Sequence, residues 1–84
     1  MLEFLRERDA AALVWDMMDA GEYDTDVLVH AAVHALGLVL VDNAHLRPLV
    51  ELCRAEGRQD FMLVVAPLRV VGGTGSPVNP LAVL

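Results

Sequence analysis

Residues 2–20 read LEFLRERDAAALVWDMMDA, and the conformation of this stretch sets the class of the whole chain. Phe4, Ala11, Val14, Trp15 and Met18 recur at helical spacing and would form one apolar stripe. Leu2, Ala10, Leu13 and Met17 would form a second, with Arg8, Asp9, Ala12, Asp16 and Asp19 along a wetter edge. The pattern predicts a first helix over 2–20 that stops at Gly21, since a C′ glycine takes the left-handed conformation without steric cost. Asp9 offers a second start, because as an N-cap it would begin a shorter helix at Ala10.

Outward from that helix, residues 22–25 form a short acidic connection, and Asp24 or Thr25 can cap a second helix running to Leu36. That helix is apolar almost all round, interrupted only by Asp26, His30 and His34; Gly37 closes it. Leu38–Val41 is too short for periodicity to separate helix extension from buried strand. Pro48 suits the first turn of a third helix that Gly57 ends, with Leu49, Leu52 and Cys53 on one side and Glu51, Arg54 and Arg58 on another. Phe61–Val65 is rich in strand-forming residues, and Leu68–Val71 repeats the character. Gly72, Gly73, Gly75, Pro77 and Pro80 break regular structure over 72–84, although that tail ends in the apolar Leu81, Ala82, Val83 and Leu84. Helical period dominates the first two-thirds. The expectation is therefore a mainly α fold, a small helical bundle over residues 1–71 followed by an extended Gly/Pro-rich tail. The alternative is an α+β arrangement with a short βαβ unit at 38–66.

Composition limits what such a chain can do. It has 84 residues, 56% of them hydrophobic, and a mean hydropathy of +0.49. That is more apolar side chain than a core of this size absorbs, which leaves membrane insertion, oligomerisation or docking on a larger body. The longest stretch without a formal charge in the middle of the chain, Val27–Val41, bounded by Asp26 and Asp42, would span about 22 Å as a helix, short of a hydrocarbon core of about 30 Å. Glu3, Arg6, Glu7, Arg8 and Asp9 stand where a signal peptide would be apolar. With one cysteine, Cys53, there is no intrachain disulfide, and the expectation is a cytoplasmic protein. The net charge of −6 arises entirely before residue 27, where eight acids face two arginines. A direct nucleic-acid binder would carry the opposite sign. The chain contains neither Lys nor Ile, a bias that fits a GC-rich genome.

Three groups of residues could carry chemistry. Asp26, His30 and His34 are spaced i, i+4, i+8 on one helical face, a spacing able to hold a metal ion. The intervening residues lack the glutamate of a zinc protease helix, so the plainer expectation is a polar seam with no metal. Asp16, Asp19, Glu22, Asp24 and Asp26 form an acidic edge without an EF-hand ligand pattern, either solvated or a docking patch for a basic partner. Trp15 and Met18 suit either core packing or an interface anchor. Leu81, Val83 and Leu84 are candidate anchors of the tail. Cys53 reads as a small buried hydrophobe, and the glycines at 72–75 do not form a phosphate loop. The expected function is a non-enzymatic interaction or assembly subunit, without cofactor, that self-associates or docks on a larger complex. Two other functions remain open: an acidic inhibitor or antitoxin-like module that neutralises a basic partner, and a small metal-binding domain built on His30 and His34.

Overall fold

The computed structural model describes residues 1–18 and 28–84. Its elements run α1 (Leu2–Glu7), β1 (Ala12–Val14), α2 (Leu28–Leu36), β2 (Val39–Val41), α3 (Arg47–Glu56), β3 (Met62–Val64) and β4 (Leu81–Val83). The architecture is thus mixed α and β, which corrects the expectation of a mainly α bundle. The βαβ unit expected at 38–66 is also absent, because β2 and β3 belong to different two-stranded sheets.

The long first helix fails at Asp9. Its φ of 50° places it in the left-handed region, which Asp tolerates better than most residues with a Cβ. The Asp9 amide donates to the Arg6 carbonyl at 3.0 Å and the Ala10 amide to Leu5 at 3.1 Å. Those two bonds make a Schellman closure in which Asp9 does the work usually given to glycine. The closure carries Ala10 back onto the core beside Leu5, and the chain leaves the turn extended as β1.

The chain divides into two compact units, residues 1–46 and 47–84. In the first, β1 pairs in parallel with β2 in the register Ala12↔Val39, Leu13↔Leu40, Val14↔Val41. Main-chain pairing continues past the strands: Asn43 donates to Met17 at 3.0 Å and Ala44 to Trp15 at 2.9 Å. Parallel neighbours require a crossover, and α2 lies within it. Gly37 ends α2 as expected; its φ is 67° and its amide donates to Val33 at 3.1 Å. The start of α2 expected at Asp24 or Thr25 lies outside the described residues. Leu5, Ala32 and Leu38 form the core cluster, with Leu2, Ala10, Leu13 and Leu36 packed against it. Ala32 is 0% exposed, so α2 approaches its neighbours on its smallest side chain.

In the second unit, α3 ends on Gly57 (φ 65°), with Gly57 donating to Arg54 and Arg58 to Cys53 in a second Schellman closure. Pro48 occupies the first turn of α3, where its missing amide hydrogen costs nothing. Strand β3 pairs antiparallel with β4 in the register Met62↔Val83, Leu63↔Ala82, Val64↔Leu81. Leu68–Val71, expected to be strand-like, belongs to the connection between them. There Gly73 donates to Val70 at 3.1 Å across a turn with Gly72 at φ 73°, and the Leu68 amide donates to the Ser76 hydroxyl at 2.9 Å. Among the described residues no helix is long and apolar enough to cross a membrane.

Candidate functional site

Parallel strands end at the same edge, so the residues just beyond Val14 and Val41 become neighbours. The Trp15 indole N–H donates to Oδ1 of Asp42. The other oxygen of the same carboxylate, Oδ2, lies 3.7 Å from Nε2 of His30, three residues into α2. A helix that returns between parallel strands runs against them, which brings its first turn to their carboxyl edge; this is why His30 reaches Asp42. The Asp42 side chain is 29% exposed and that of His30 is 53% exposed. The carboxylate is therefore held between an indole and an imidazole at a half-wet rim. Chemically the arrangement orients a histidine and ties two strands and a helix together. Among the described residues no three His, Cys, Asp or Glu side chains converge as metal ligands.

The expected site residues fall as follows. Trp15 is half-buried and engaged with Asp42; Asp16 and Met18 are exposed. Asp19, Glu22, Asp24 and Asp26 lie outside the described residues. His30 meets Asp42, whereas His34, one turn on, is exposed. Leu81 and Val83 are exposed on β4 and Leu84 is half-buried. Asp42 was legible only as the start of a turn; its position directly after the apolar run Leu38–Val41 was the available signal that it caps a strand edge.

The second site is apolar. All six residues of the β3–β4 ladder are apolar, and none of residues 47–84 is buried. Met62, Leu63, Val64, Leu81 and Val83 each remain 39–60% exposed. Met62 and Val64 are interface candidates that sequence patterning missed, because Phe61–Val65 is apolar throughout and has no alternation to mark an outer face. An open groove of about 630 Å³ runs along α3 past Leu49, Cys53, Arg54 and Phe61. Its second guanidinium, Arg58, is already engaged with Asp60 at 3.1 Å, and no convergent set of polar groups marks it as a small-molecule site. No protein-family model, curated protein or solved structure matches the chain.

Proposed function

We propose that this chain is a non-enzymatic interaction or assembly subunit, cytoplasmic, whose partner is a protein or another copy of itself and not nucleic acid or membrane. The observation that carries this reading is the exposure of the second unit. Ten large hydrophobic residues between Val50 and Val83 are 39–96% exposed, while the buried core residues Leu5, Ala32, Leu38 and Val41 all precede residue 47. A unit of that size ordinarily needs a disulfide, a metal or association to be stable. The single cysteine, Cys53, is free, and no ligand set converges among the described residues, so association is the route that fits. Net charge of −6 and the absence of any lysine argue against a phosphate-binding role.

The test is the mass of the natively purified protein in solution, by light scattering after size exclusion. A species heavier than the 9.1 kDa chain, alone or with a co-purifying protein, supports the reading. A soluble monomer without a partner at submillimolar concentration removes it.

A further inference from the structure

We propose that one face of the β3–β4 sheet is where a second copy of this chain docks, the two faces stacking so that each fills the gaps of the other; this rests on the assembly reading and names its partner. In an antiparallel ladder, residues directly opposite each other share a face. The register therefore puts Met62, Val64, Leu81 and Val83 on one face and Leu63 with Ala82 on the other. The four are 60%, 39%, 54% and 50% exposed. A lone two-stranded ribbon is marginal in water, so this face needs a cover.

The pattern of sizes points to a copy of itself. Met62 stands opposite Val83, and Val64 opposite Leu81, so the larger side chains occupy one diagonal and the valines the other. Turning an identical face over by a two-fold axis lying in the sheet plane sets each Met or Leu above a Val. Large over small is the arrangement by which packed layers interdigitate, and a two-fold contact requires a surface that matches itself in this way. Charge agrees. Arg69 is the only charged side chain from Phe61 to Leu84, so two such faces meet without like-charge repulsion and offer nothing for a charged partner to select.

Area sets the strength of the contact. Burying a side chain of this kind removes roughly 60–120 Å² of apolar surface, from about 1.5–3 kcal/mol at about 25 cal/mol per Å². At their observed exposures the four residues of this face then present roughly 120–240 Å². A standard interface takes about 800 Å² per partner, of which roughly 450–500 Å² is non-polar. The sheet face supplies roughly a quarter to a half of that, so the contact is a small one and the dimer a weak one.

The experiment is light scattering of the full chain across micromolar to submillimolar concentration, with two variants. The wild type is expected at twice the 9.1 kDa chain mass. The double variant Val64→Thr, Val83→Thr keeps β-branched shape and strand preference but places hydroxyls in the contact. It is expected to raise the dimer dissociation constant at least about tenfold with unchanged far-UV circular dichroism. Val39→Thr, on the exposed side of β2, is expected to leave the mass unchanged. Isotope-filtered NMR on a half-labelled wild-type sample checks the contact without mutation: methyl contacts from Met62 or Leu81 of one copy to Val64 or Val83 of the other are expected. A dimer whose intermolecular contacts involve only other residues overturns the proposal, as does a dimer indifferent to the threonine pair. A wild-type monomer overturns it too. If that monomer purifies with a different protein, the assembly reading survives and only the self-docking face falls; if it purifies alone, both fall.

Discussion

The Asp42 carboxylate serves two donors, and the geometry ranks them. The perturbation is a pair of double-mutant cycles sharing Asp42→Ala, one with Trp15→Phe and one with His30→Gln. The indole bond is direct, to a charged acceptor, between half-buried side chains. Such bonds contribute about 1.5–3 kcal/mol when shielded; water at the 29% exposed carboxylate brings this one to the low end, about 1.5 kcal/mol. The imidazole lies 3.7 Å away on a side chain 53% exposed. An exposed ion pair of this kind contributes about 0.5 kcal/mol or less, and only while His30 is protonated. The coupling of Trp15 to Asp42 should therefore exceed that of His30 to Asp42 by roughly 1 kcal/mol, beyond the usual error of about 0.3–0.5 kcal/mol in such cycles. Urea unfolding followed by circular dichroism measures all the corners. Trp15 is the only tryptophan, so its emission reports locally on Asp42→Ala and His30→Gln. Equal couplings, or a larger one for His30, would refute this account of the rim.

Three further outcomes test the fold. Gly37→Ala should cost about 1 kcal/mol, lowering the melting temperature by about 4–8 °C: a Cβ there meets nothing within 4 Å, so the cost is the φ of 67° alone, and Gly75→Ala, with open space and no positive φ, should be near neutral. Leu38→Ala, at a residue 4% exposed in the core of the first unit, should cost about 2–5 kcal/mol in chemical unfolding, whereas Val39→Ala beside it, 57% exposed, should cost far less. Removing residues from Gly73 onward takes β4 from β3, so amide exchange of Met62–Val64 should accelerate while that of β1 and β2 stays slow.

What could be read from the amino acids was what local chemistry decides. Gly37 and Gly57 announced their helix ends, and Pro48 announced the first turn of α3, because each acts within a few residues of itself. Asp9 did not announce its role. The same side chain that can cap a helix start can also tolerate the left-handed turn that ends one, and only Leu5 and Ala10 closing on the core choose between them. Strand β1 was invisible for a different reason: Ala12, Leu13 and Val14 satisfy a helical stripe as well as a strand, and the partner that settles it, Val39–Val41, lies beyond an intervening helix. The same distance hid the Asp42 rim, since Trp15, His30 and Asp42 converge only when parallel pairing brings two strand ends together. Met62 and Val64 carry no outward sign of exposure because every residue from Phe61 to Val65 is apolar and their cross-strand neighbours Leu81 and Val83 stand in a Gly/Pro-rich stretch that favours an extended tail.

The parallel pairing of β1 with β2 also sets a schedule for synthesis. Val39 follows Val14 by 25 positions, so at about 5–20 residues per second the ribosome needs roughly 1–5 s to deliver the partner strand after β1 is made. During that interval the Ala-Leu-Val-Trp run has both edges unsatisfied, and α1 has no α2 to pack against. The ribosome's exit tunnel shelters a longer stretch than those 25 positions, so the run meets the solution only while residues well beyond β2 are being added. Slow codons placed after residue 46 should therefore lower the yield of soluble protein more than the same codons placed between residues 15 and 38.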